Sequence, residues 1–146
     1  MSISNLEVPN GYNLYANSLT LTEGINVGSN QIYWSSFSAT TSGNFIGPCG
    51  EVATFPNARA VTNNQITIRS LRVLLSAPPG AGQSWTYTLY VNGSATPLSI
   101  IISGTATTAT NTSNNVTLNP GDTFAVGLTS TGGATSGFST ICMNYF

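Results

Sequence analysis

The side chains able to do acid–base or nucleophilic chemistry are few and scattered. Glu7, Glu23, Glu51 and Asp122 are the carboxylates, Arg59, Arg69 and Arg72 the cations, and the chain has neither His nor Lys. General acid–base catalysis needs two titratable groups in one cleft, and no two of these carboxylates are close in sequence. Glu51 and Asp122 would have to meet in space to form a glycosidase pair. A Ser or Cys nucleophile would lack a His base. Asp122 follows the glycine of Asn119-Pro120-Gly121-Asp122, a turn in which a carboxylate usually caps backbone amides. The same turn supplies one oxygen ligand where a calcium loop supplies several, and no Cys/His cluster suggests zinc. The residues therefore predict no enzyme, no metal and no cofactor. Cys49 and Cys142 have no CxxC partner and are expected as free thiols.

Aromatic side chains are the other candidates, because rings laid on sugar faces are how uncharged saccharide sites work. Tyr12, Tyr15, Tyr33 and Trp34 are the candidates for exposed rings, each with a core or interface role as the alternative. Phe146, at the end of an apolar strand, is a candidate interface residue. Asn92, Asn111 and Asn115 match the glycosylation sequon, a match that a chain rich in Asn, Ser and Thr produces by chance.

Charged residues make up 5% of the 146 residues, against about 25% in ordinary domains. Three Arg cannot form the basic stripe that nucleic acid requires. No run approaches the ~18 apolar residues of a spanning helix, so neither nucleic acid nor membrane is an expected partner. The first residues lack a basic and an apolar region, which predicts no classical secretory signal.

The elements that must position these residues are strands. Residues 84–102 read SWTYTLYVNGSATPLSIII, and Asn92-Gly93 between alternating runs is a strong hairpin signal. A two-residue loop pairs Val91 with Ser94, Leu89 with Thr96, Tyr87 with Leu98 and Trp85 with Ile100. Pro97 lacks an N–H, which predicts an edge or a bulge beside it. Residues 1–17 read as an N-terminal arm and residues 18–146 as one domain. Within it, strands are predicted at 18–22, 31–37, 51–55, 65–76, 116–118, 123–129 and 138–146, with 103–115 an exposed connection or edge. In 65–76, Ile66 and Ile68 alternate out of phase with Leu71, Val73 and Leu75. A bulge at Arg69-Ser70 would bring both sets to the core; the alternative is a strand covered on both faces. Residues 138–146 are apolar on both faces, Ile141, Met143 and Tyr145 on one, Phe138, Cys142 and Phe146 on the other. About eight short strands and no helical period predict an all-β antiparallel sandwich, jelly-roll-like.

Residues 68–133 carry a strand ending in a Pro79-Gly80 loop, an aromatic strand ending in Asn92-Gly93, an isoleucine strand followed by Ser103-Gly104-Thr105, and Gly121-Asp122 opening a strand. Over residues 65–146 the chain resembles a jelly-roll-like β domain of structural proteins of bacteriophages and large DNA viruses. The resemblance implies a capsid, head-fibre, spike or tail-fibre component, located in the virion, that acts by assembling with itself, often as a trimer, and with other virion proteins, with host attachment as a further role. Similar trimers on spore surfaces and in tumour-necrosis-factor-like proteins keep an extracellular or cell-surface role open. A carbohydrate-binding module that recognises glycans through exposed aromatics is the rival reading. The doubly apolar terminal strand and the low charge independently predict a homo-oligomer, a trimer first.

Overall fold

The computed structural model describes residues 30–36, 40–135 and 137–146. The arm at 1–17, with Tyr12 and Tyr15, and the strand expected at 18–22 lie outside the described residues. In chain order the elements are β1 (Asn30–Ser35), β2 (Phe45–Gly47), β3 (Gly50–Val52), α1 (Phe55–Ala58), β4 (Ala60–Val61), β5 (Ile66–Leu75), β6 (Gly80–Val91), β7 (Ser94–Gly104), β8 (Thr108–Asn111), β9 (Val116–Leu118), β10 (Thr123–Ser130) and β11 (Ser139–Tyr145). All pairings are antiparallel. One sheet runs β1-β11-β5-β8 with β9 also on β5; the other runs β3-β2-β10-β6-β7 with β4 also on β10. The described residues form an antiparallel β-sandwich of about 11 strands, more than the eight expected, because two- and three-residue strands such as β2, β3 and β4 are too short to show a period.

The core is what alternation demands. Trp85, Tyr87 and Leu89 of β6, Leu98, Ile100 and Ile102 of β7, and Phe124, Val126 and Leu128 of β10 point inward from the second sheet. Ile68, Leu71, Val73 and Leu75 of β5 and Ile141 and Met143 of β11 meet them from the first. The phase slip in β5 is resolved by a bulge: Tyr145 pairs with Ile68 and Asn144 with Ser70, so Arg69 is the extra residue and Ile68 and Leu71 are both fully buried. The bulge also divides the strand's other edge, where β9 pairs with Ile66–Ile68 and β8 with Leu71–Leu74.

The hairpin corrects the expected register. Asn92 (φ 52°) and Gly93 (φ 82°) form the turn, and Val91 pairs with Ser94 and Tyr90 with Ala95 as expected. Further along, however, Tyr87 pairs with Ile100 and Trp85 with Ile102. Between the pairs Tyr90–Ala95 and Thr88–Ser99, β6 has one residue, Leu89, and β7 has three, Thr96, Pro97 and Leu98. The two extra residues follow from Pro97, which cannot donate to the ladder. The Thr96 hydroxyl takes over, donating to the Leu89 carbonyl (2.8 Å) and accepting from the Leu98 N–H (3.3 Å). An excess of two preserves the faces, so Trp85, Tyr87, Leu98 and Ile100 still point inward. β7 is also the edge of its sheet, so Pro97 marks both an edge and a bulge.

Two further expectations change. The loop expected at Pro79-Gly80 ends at Pro79, since β6 already starts at Gly80, whose φ of 108° lets the chain return at once. A single helical turn, α1, stands where none was expected. Pro56 sits in its first turn, where a missing N–H costs nothing, and one turn is too short to leave a helical period in the sequence. It fits because Gly47 has no side chain: a Cβ there would lie 1.6 Å from the Ala58 carbonyl oxygen.

Candidate functional site

The two described carboxylates hold loops in place. Glu51 Oε1 accepts from the Thr41 N–H (2.7 Å) and from Asn44 Nδ2 (2.9 Å), which ties β3 to the chain entering β2. Asp122 accepts from Asn92 Nδ2 (2.7 Å) and from the Asn119 N–H (2.7 Å), so it joins the hairpin turn to its own turn. The Asn92 amide first, and then the Asn119 N–H, hold the Asp122 carboxyl below its ordinary value. Gly121 (φ 89°) and the bond from the Asp122 N–H to the Asn119 carbonyl give that turn a type II form. Glu7 and Glu23 lie outside the described residues. Cys49 and Cys142 are free thiols, the first exposed and the second half-buried. Among the described residues no group of three His, Cys, Asp or Glu gathers to hold a metal, and no helix is long and apolar enough to cross a membrane.

The aromatic candidates separate. Trp34 is a core residue, 8% exposed and stacked on Phe124 at 5.3 Å between centroids, so it is not available as an exposed ring. Alternation along β1 sends the next residue the other way, and Tyr33 is 63% exposed. Phe146 is exposed beyond β11, and the Arg69 guanidinium lies 3.2 Å from its ring centre.

Tyr33 opens a row that runs straight across the outer face of the first sheet: Tyr33 pairs with Cys142, Cys142 with Arg72 and Arg72 with Thr110. The neighbouring row is Gln31, Asn144 and Ser70. The Tyr33 hydroxyl donates to Gln31 Oε1, and the side chain of Cys142 raises the Tyr33 hydroxyl above its ordinary value. These two rows form the floor of a groove of about 440 Å³. Phe138 and Phe146, both exposed, lie on the same side of the sheet at either end of β11. The strand expected to be apolar on both faces is thus central in its sheet, with its outward face polar in the middle and aromatic only at its ends.

The outer face of the second sheet is built the opposite way. Phe45 on β2 packs edge-on against Tyr90 on β6 (5.2 Å) and against Phe55 of α1 (5.8 Å). Gly127 of β10 lies beneath them, and a Cβ there would meet the Tyr90 ring at 2.5 Å and the Phe45 ring at 3.1 Å. The three rings are half-buried, with exposed Val61 and Ile101 farther out on the same sheet. The residue types did not reveal this platform, because its rings come from three separate elements. Arg72 was more legible: it alternates with the buried Leu71 and Val73 and so had to point outward.

No protein-family model matches the chain, and no curated protein sequence matches it.

Proposed function

We propose that the chain is a non-enzymatic structural protein of a virion surface, of the decoration, fibre, spike or minor capsid type, which works by assembling with copies of itself and attaches through its outer faces. The aromatic platform of Phe45, Phe55 and Tyr90 carries this reading. It has an apolar centre, and Thr86, Thr88 and Ser99 lie around it in the same sheet, the anatomy of a protein–protein contact. The use of Glu51 and Asp122 as loop braces fits a protein whose work is done by surfaces. The resemblance over residues 65–146 supports the virion setting.

The polar groove on the other sheet favours a second role within the same protein, recognition of saccharides, with Tyr33 as its exposed ring. Mass spectrometry of purified particles from the source should find this chain as a component. If it is abundant in the surrounding cell lysate but missing from particles, the virion assignment fails. Light scattering on the full chain should give a trimer, and Tyr90→Ala should shift it toward monomer; a trimer unaffected by that change would move the contact off the platform.

A further inference from the structure

The groove on the first sheet has the make-up of a small-ligand site with one cation in it. Cys142 and Arg72 lie at its middle, Tyr33 and Gln31 on one edge strand and Thr110 on the other, with exposed Leu74 beside them, a largely apolar lining that carries a few polar groups, as small-ligand sites do. Its volume, about 440 Å³, lies within the range of roughly 300–1,000 Å³ typical of small-ligand sites. The Arg72 guanidinium makes no hydrogen bond or ion pair among the described residues. The two described acidic side chains are committed elsewhere, Glu51 on β3 of the other sheet and Asp122 in the turn before β10. Arg69, at one end of the same face, is stacked on Phe146 and pairs with no acidic side chain among the described residues. Among the described residues this face carries two Arg and no acidic side chain, and what complements it is an anion.

The surroundings of Arg72 narrow the anion. Hydroxyl and amide groups at Thr110, Asn144 and Gln31 offer both donors and acceptors, as sugar hydroxyls require. Tyr33, one strand beyond Cys142 in the same row, presents an exposed ring suited to the apolar face of a pyranose. A guanidinium takes a carboxylate through two parallel bonds. From these we propose that the groove binds saccharides bearing a carboxylate, with Arg72 holding the carboxylate, Tyr33 covering the ring and Asn144 and Thr110 reading its hydroxyls. This deepens the attachment part of the function proposed above and rests on it.

The test is an amide-resolved NMR titration of the full chain with the methyl glycosides of glucuronic acid and N-acetylneuraminic acid, with methyl glucoside and acetate as separate probes. At least one acidic glycoside should move the amides of Tyr33, Arg72 and Asn144 saturably at millimolar concentration, with methyl glucoside and acetate at least tenfold weaker. Arg72→Ala should lower that affinity at least tenfold and Arg72→Lys by less, with the rest of the spectrum unchanged, while Arg59→Ala, at the C-terminal end of α1, should leave it as it was. Equal binding of methyl glucoside would make this a neutral-sugar site, and equal binding of acetate a bare anion site. Either result, or no saturable shift with both acidic glycosides, overturns the proposal. Light scattering on the same samples keeps the two readings apart: a trimer that ignores both acidic sugars refutes this inference alone, and a monomer that binds one refutes the assembly alone.

Discussion

Asn92 shows how much one residue carries here. It takes a positive φ of 52°, its Oδ1 accepts from the Thr123 N–H at 2.9 Å, and its Nδ2 donates to Asp122. Asn92→Ala therefore loses both bonds and places an unsuited residue in the left-handed region, and we expect a loss of about 2 kcal/mol in urea unfolding. Asp122 adds a pH dependence. Its folded carboxyl is held below its ordinary value, so its stabilisation is present above the unfolded value and is lost as pH falls through the folded one. Asp122→Asn should flatten the acid side of a Tm-against-pH curve relative to the parent, and an unchanged slope would remove Asp122 as the cause. Tyr87 acts at the other end of the scale. Burial pushes its hydroxyl up to about 12, only partly offset by the bond it shares with Ser139 Oγ at 2.6 Å. Because the folded value is raised, that stabilisation is whole below the ordinary value of 10.0 and is lost as pH rises from there toward about 12. Linkage puts the loss on the order of 2 kcal/mol, absent in Tyr87→Phe.

Among the elements, the β6–β7 hairpin and the β2–α1 contact make the clearest tests. The excess of two residues around Pro97 is held by one hydroxyl, so Thr96→Val leaves the Leu89 carbonyl and the Leu98 N–H without that partner. The expected cost is about 1 kcal/mol, with faster amide exchange confined to the bulge; exchange rising across the whole sheet would mean that the bulge anchors more than its own strand. Gly47 is less forgiving. Its φ is ordinary for an L residue, but a side chain there would meet backbone, the Ala58 carbonyl, which cannot swing aside as a ring can. Gly47→Ala should cost about 3 kcal/mol, at the upper end for overpacking, whereas Gly127→Ala, which meets the Tyr90 and Phe45 rings, should cost less and disturb chiefly the platform.

For the whole molecule, the proposed function divides the work between the two outer faces. One sheet carries an aromatic platform with a polar rim, the other a groove that holds Arg72 between Tyr33 and Thr110. On that division, a variant of the platform and a variant of the groove affect different measurements. Tyr90→Ala should change the mass by light scattering and leave acidic-sugar binding per chain intact, and Arg72→Ala should do the reverse. If either variant changed both readouts, the two faces would be one surface in the assembly.

Much of the sandwich was legible from residues alone, because period-2 alternation, Asn92-Gly93, Pro97 and Asn119-Pro120-Gly121 act locally and each has one good backbone solution. The bulge at Arg69 could be read too, since a slip in alternation leaves few other ways to bury both Ile68 and Leu71. What only the tertiary structure decided is everything that depends on which strand lies beside which. The hairpin register depended on a three-residue detour whose length no local rule sets. The burial of Trp34 depended on Phe124 standing opposite it. The groove arises because β1, β11, β5 and β8, far apart in sequence, align Tyr33, Cys142, Arg72 and Thr110 in one row. Alternation tells each residue whether it faces in or out; only the order of strands in the sheet determines its neighbours, and a binding surface is made of neighbours.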